Sequence, residues 1–236
     1  MKKGVLVMLG LLVVFSLVYV FTSESSVLDQ NNSSIDGKAV DLPVVEKESG
    51  VGELIYNRRS HRNFEDKPLS REDIACLLWS GEGITVDGVT GPTRSSPSAG
   101  ATDPLKLYLL VSEVEDLKEG IYYYDPLGHN LTLKIEGKWG QSLADSALGQ
   151  TVLQEAPVVL IVAADFERTT STYRQRGERY VHIEAGHAAQ NINLMAEEKG
   201  LGTVIIGAFT DDEVKDIINS EEVEPLLLIP AGYPEE

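Results

Sequence analysis

The stretch Pro157-Val158-Val159-Leu160-Ile161-Val162-Ala163-Ala164 is apolar from end to end and rich in β-branched residues. Such side chains are stiff about χ1 and fit a pleated surface, and a strand with one wet face would alternate apolar with polar residues. The run therefore predicts a strand buried on both faces, inside a sheet that is covered on each side.

Working outward, Leu105 to Ser112 (LKLYLLVS) reads as a strand, and so do Ile121 to Asp125 and Leu131 to Ile135, which are separated by the turn-forming Pro126-Leu127-Gly128-His129-Asn130. Ser70 caps a helix with Asp73 three positions on, Ile74, Leu77 and Leu78 form its buried stripe, and Gly81 is expected to end it. Gly83 to Ala101, rich in Gly, Pro, Ser and Thr, reads as a loop. A long helix is expected from about Tyr180 to Lys199, stopping at Gly200, then strands at Thr203–Ile206 and Leu226–Ile229. Helices and strands mix without a strict βαβ repeat, which makes the expected class α+β.

The sequence has 236 residues, 42% hydrophobic and 24% charged, enough for one domain with a sizeable core. Residues 4 to 21 (GVLVMLGLLVVFSLVYVF) form an uncharged apolar run after Lys2 and Lys3, long enough to cross a bilayer as a helix. A signal anchor and a cleaved signal peptide both fit. The anchor is expected, with the rest of the chain outside the cytoplasm, because acidic residues follow the run before the first basic one, Lys38. Residues 22–50, rich in Ser, Asn and Asp, read as a flexible tether, and residues 51–236 as the folded domain.

The formal net charge is −17, which argues against a nucleic-acid surface, since phosphate backbones are bound by concentrated positive charge. The single cysteine, Cys76, excludes an intrachain disulfide and lies in an apolar helical stretch. No histidine pair has metal-ligand spacing, and no metal is expected: His182 and His187 are five apart, off the i, i+4 pattern of one helix face.

Against that acidity, Asn57-Arg58-Arg59-Ser60-His61-Arg62-Asn63-Phe64 stands out. A solvated basic edge would account for it, and so would a phosphate site, because a guanidinium fork matches phosphate oxygens and a serine hydroxyl adds a donor. Pro97-Ser98-Ala99-Gly100 precedes a strand, and Ile206-Gly207-Ala208-Phe209 lies between a strand and the helix near Asp211. Small residues at such points allow a flat ligand close to backbone amides, although single turn glycines are common there.

Together these segments resemble the nitroreductase family of FMN-dependent oxidoreductases. The likeness is closer to the SagB-type dehydrogenase branch, on Pro97-Ser98-Ala99-Gly100-Ala101, Gly120-Ile121-Tyr122-Tyr123-Tyr124-Asp125-Pro126 and Glu184-Ala185-Gly186-His187-Ala188-Ala189-Gln190-Asn191. The resemblance spans residues 51 to 236 and implies a mixed or antiparallel sheet sandwiched by helices, with FMN at a homodimer interface. It assigns Arg58 and Ser60 to the FMN phosphate with Arg59 beside them, and Arg62 to the pyrimidine end of the ring. It lays Pro97, Ser98, Ala99 and Gly100 along the ring, sets the amides of Gly207 and Ala208 at N5, and puts Gln150 within reach. Arg176 and Arg179 are expected at the phosphate or the dimer interface. The basic pair that many relatives carry near the C-terminus is missing, since no lysine or arginine follows Lys215.

The resulting expectation is an oxidoreductase that passes two electrons through the flavin to or from a small or planar substrate. A fixed cation beside an electron-rich reduced flavin would raise its potential. The alternatives are an azoline dehydrogenase acting on modified peptides, for which no base pair is recognisable, and a flavin-binding protein without turnover.

Overall fold

The computed structural model describes residues 50–88 and 91–235. The expected anchor over residues 4–21 and most of the tether lie outside them. Among the described residues no helix is long and apolar enough to cross a membrane.

The elements in chain order are α1 (Val51–Asn57), α2 (Arg71–Glu82), β1 (Ile84–Gly88), β2 (Gly91–Arg94), a 3-10 turn (Ala99–Ala101), β3 (Leu105–Val111), β4 (Gly120–Asp125) and β5 (Asn130–Glu136). Then come α3 (Gly140–Ser146), α4 (Val152–Glu155), β6 (Val158–Ala164), α5 (Phe166–Tyr173), α6 (Gln175–Glu198), β7 (Gly202–Thr203), α7 (Asp211–Ile218) and β8 (Glu224–Gly232). Six strands form one sheet in the order β5-β4-β3-β6-β8-β7, with every pairing antiparallel.

The apolar run behaves as its composition requires. All seven residues of β6 are buried, between β3 and β8. Their side chains alternate between two cores. Val158, Leu160 and Val162 join Ile74, Leu77 and Leu78 of α2 and Val181, Ala185, Ala188 and Ile192 of α6. Val159 and Ile161 join Leu143 of α3, Val152 and Leu153 of α4, and Val214, Ile217 and Ile218 of α7. Helices on both faces remove the need for a polar face, so the strand reads as unbroken apolar sequence.

Four boundaries differ from the sequence reading. The Ser70–Asp73 capping box is present, but α2 continues past Gly81 to Glu82 and its C-cap is Gly83. Gly81 is a packing point: a Cβ there would sit 3.0 Å from both Ile192 Cδ1 and Leu107 Cδ1. The stretch Gly83 to Ala101 holds a β1–β2 hairpin that its glycines and prolines concealed. α6 starts five residues earlier than expected, at Gln175. The strand expected over Thr203–Ile206 is only two residues long, followed by a single bridge from Ile206 to Leu228.

Candidate functional site

The residues expected to bind an anion and a flat ring fall into two groups. The first lies at the β7 edge of the sheet. Ser60 forms a parallel bridge with Thr203, and the His61 amide donates to the Thr203 carbonyl at 2.9 Å. Thr203 is fixed from behind, its Oγ1 donating to Asn193 Oδ1 of α6 at 2.8 Å. This edge pairing carries the arginine stretch to within a few residues of Gly207 and Ala208. Ala208 in turn meets Gln150, whose Nε2 donates to the Ala208 carbonyl at 3.4 Å and to the Ala147 carbonyl at 3.0 Å. Gly207 and Ala208 are exposed, and a Cβ built on Gly207 would find only Leu227 Cδ2, at 4.0 Å. A planar group can therefore reach this backbone.

The three arginines differ. The Arg59 guanidinium folds back onto the end of α1, where Nη1 donates to the carbonyls of Tyr56, Asn57 and Arg58 at 2.7, 3.1 and 2.9 Å. A cation there answers the unpaired carbonyls of a helix C-terminus. Arg58 is half-buried and Arg62 exposed, and neither guanidinium makes a hydrogen bond or ion pair with any described residue. Arg176 and Arg179 are elsewhere, in a surface recess at the start of α6 with Gln175, Glu178 and His182.

The second group is the 97–101 segment, over the first half of α6. It is tightly wound: Gly100 has φ +61°, Ala101 +52° and Asp103 +44°. Only glycine adopts such values without strain, and a Cβ at Gly100 would also lie 2.5 Å from the Tyr173 hydroxyl. Ser98 Oγ accepts from the Asp103 amide at 2.9 Å, Thr102 Oγ1 lies 2.8 Å from Thr169 Oγ1, and Arg168 Nε donates to the Thr102 carbonyl at 2.9 Å. Along α6, Glu184 faces this segment and Asn193 holds Thr203, nine residues further on. At a rise of about 1.5 Å per residue the two groups sit roughly 14 Å apart along the helix.

Beneath the segment is a set of buried charges that the sequence reading did not identify. Glu82 and Glu184 are each 2% exposed. Arg94 Nε lies 3.8 Å from Glu82 Oε2 and 3.7 Å from Asp103 Oδ2, too far for either contact to be a good hydrogen bond. Glu82 Oε1 and both Glu184 oxygens are buried without a partner among the described residues. Burial pushes the Glu82 carboxyl up to about 8, against the pull of Arg94 and with a further push from Glu184 and Asp103. Burial likewise pushes Glu184 up to about 7, opposed by Ser98 and reinforced by Asp103. Lys106 is lowered by burial and by Arg168 and Arg94. One signal in the sequence could have found Glu184: it shares the apolar stripe Val181, Ala185, Ala188 and Ile192, where a carboxylate has no reason to sit unless it is used.

These shifts fix a sign. Both groups hold a proton in the fold that the unfolded chain gives up near 4.5, so between about 4.5 and 8 the unfolded state binds fewer protons and stability falls as pH rises. We expect the free energy of unfolding, from denaturant titration, to decline from pH 5.5 to 8 by about 1.4 kcal/mol per pH unit for each carboxyl still protonated. A flat or rising profile would contradict the buried-acid description.

The chain forms an α+β sandwich: a six-stranded antiparallel sheet, helix-covered on both faces, with an arginine-rich segment docked at one edge and an exposed glycine turn. The chain belongs to the nitroreductase family, whose profile matches residues 55–233. It is 42% identical over 197 residues to a candidate nitroreductase of Methanocaldococcus jannaschii, MJ1384, covering 84% of this chain and 97% of that protein. Over 143 residues it is 31% identical to the microcin B17-processing protein McbC of Escherichia coli, covering 57% of this chain and only 52% of McbC. A candidate nitroreductase of Desulfovibrio desulfuricans, crystallised in complex with FMN, shares the fold at a TM-score of 0.58 and 21% identity, over 80% of this chain and 88% of that one.

Proposed function

We propose that the protein is an FMN-dependent oxidoreductase, working as a homodimer and exchanging two electrons with a small or planar substrate. The observation that carries this reading is a pair of arginines, Arg58 and Arg62, without partners among the described residues, docked through Ser60 beside the open backbone of Gly207 and Ala208. A phosphorylated ring would answer this cation pair, which is held next to an exposed glycine turn in a chain of net charge −17. The residues present fit the group. Arg58 and Ser60 would hold the phosphate, Arg62 would sit by the pyrimidine end, and Gly207, Ala208 and Gln150 would line the ring edge. Pro97 to Gly100 would lie along the ring. Bound FMN supplies hydride and two-electron exchange, while the protein positions it and tunes its charge. Arg59, already engaged with the end of α1, shapes the site rather than contacting the ligand.

Two copies suit the layout, since the arginine edge and the 97–101 segment flank opposite halves of α6, and α6 leaves Ile183 48% exposed with open space at Gly186. A second copy could bring its own segment to the edge of the first. The likeness to McbC favours a SagB-type dehydrogenase branch, acting by oxidation of its substrate. The apolar run at 4–21 would tether the enzyme to a membrane with the domain outside the cytoplasm, where the electron partner would be a quinol or the substrate itself rather than a nicotinamide.

The test is an absorbance spectrum and light-scattering mass of the detergent-extracted full chain, then anaerobic titration with NADH, NADPH and a quinol. A yellow dimer that partitions with membranes and is reduced by the quinol in preference to NADH and NADPH is expected. Colourless protein that cannot take up FMN would overturn the reading, a monomer the dimer, and a soluble full chain the tether.

A further inference from the structure

We propose that Glu184 stores one proton beneath the 97–101 segment and exchanges it, through the hydroxyl of Ser98, with the ligand bound on the outer side of that segment. This rests on the reading of the segment as part of the FMN site.

Glu184 has the placement of a proton store. It is 2% exposed and neither oxygen has a hydrogen bond in place among the described residues, so its ionised form would be a desolvated charge with only the Ser98 hydroxyl and the Ala99 amide beside it as donors. The groups facing it are Arg94 of β2, Asp103 and Ser98 of the following loop, the Ala99 amide, and Glu82 at the end of α2. Arg94 is the only cation among them, and it is already spread over Glu82 and Asp103 at 3.8 and 3.7 Å. Three carboxyls share one guanidinium, so neutrality leaves two of them protonated, and Glu184, with which Arg94 forms no ion pair, is one of the two. Burial supports the same assignment by holding the Glu184 carboxyl near neutrality.

The path outward runs through Ser98, whose hydroxyl faces the Glu184 carboxyl. Ser98 is the only hydroxyl in the 97–101 segment, and it is half-buried where Glu184 is buried. Its Oγ already accepts from the Asp103 amide at 2.9 Å, which leaves its own proton to donate. The left-handed turns at Gly100, Ala101 and Asp103 hold the segment in place, so this hydroxyl stays between the acid and the outer face.

In the step itself, a hydride donor would deliver two electrons and one proton to the bound ligand as a hydride, and the second proton that neutral reduction requires would come from Glu184. The Ser98 O–H bond then breaks toward the ligand as the Glu184 O–H bond breaks toward Ser98 Oγ. The ligand gains one proton, Ser98 ends neutral, and Glu184 ends as a carboxylate that recovers its proton from solvent by the same route after product leaves.

Infrared titration of the full chain without FMN, from pH 5 to 9, is expected to show two protonated carboxyl bands, one of which disappears in Glu184→Gln while the other disappears in Glu82→Gln. With FMN bound, wild-type turnover should fall about tenfold per pH unit above neutrality, and Glu184→Gln should be pH-independent and about 10²- to 10⁴-fold slower at low pH. Ser98→Ala should keep the Glu184 band and lose at least about tenfold in rate. If Glu184→Gln does not fold, Glu184→Asp, which keeps the acid but draws it back by one methylene, should retain the titrating band and still lose rate. An unchanged band in Glu184→Gln, or a flavin-loaded variant with the wild-type pH profile, overturns the proposal. Failure to bind FMN overturns the cofactor reading instead and leaves the titration to stand.

Discussion

Arg58→Ala lowers the affinity of the full chain for FMN by about 10- to 100-fold and leaves the unfolding midpoint within experimental scatter; that is the expected outcome of a fluorescence titration. A hydrogen bond to a charged group contributes about 1.5–3 kcal/mol, which sets this range. Arg58 is the half-buried member of the cluster and has no partner among the described residues, so its removal strands no other group. Arg59 is a poor substitute, because its guanidinium is held through Nη1 against three carbonyls at the end of α1. Arg62→Ala should behave differently, changing the reduction potential of the bound flavin more than its affinity, since a cation near an electron-rich ring stabilises the reduced form. An unaltered dissociation constant in Arg58→Ala would remove the phosphate assignment, and an unaltered potential in Arg62→Ala would remove the other.

The second large effect lies far from the site. Leu160→Ala should destabilise the domain by about 2–5 kcal/mol, measured as a shift in urea midpoint at constant slope. Leu160 is fully buried in the middle of β6 and packs toward α2 and α6. Rigid strands on both sides limit how far the cavity can collapse, and total stabilities run to only about 5–15 kcal/mol. Leu127→Ala is the control: Leu127 is 72% exposed in a turn, and its loss should fall within about 0.5 kcal/mol. Equal losses at both positions would mean that β6 is not the centre of the core.

The two predictions meet in α6. Its apolar stripe completes the core that holds Leu160, while Asn193 pins the β7 edge to which the arginine stretch docks, and Glu184 lies under the 97–101 segment. One helix thus sets the spacing of both halves of the site, and damage to the core on its side should reach the cofactor.

Periodicity and composition alone determined the central strand, the strands β3, β4 and β5 on one side of it, the capping box at Ser70 and the long helix, because burial on two faces, one face or one stripe leaves a regular mark on the chain. The family, too, was legible in short motifs whose glycines and arginines have few other uses. Tertiary structure alone decided the rest. Arg58, Arg59 and Arg62 look alike as letters, yet one is turned back onto α1 by carbonyls that only the folded helix presents. The hairpin at Ile84 to Arg94 is hidden by turn-forming residues, because strand pairing depends on a partner strand and not on local propensity. Glu82, Arg94, Asp103 and Glu184 are scattered over a hundred residues and become a single set of charges only where α2, β2 and α6 pack together. Their protonation follows from how completely that packing excludes water, a quantity that no stretch of sequence contains.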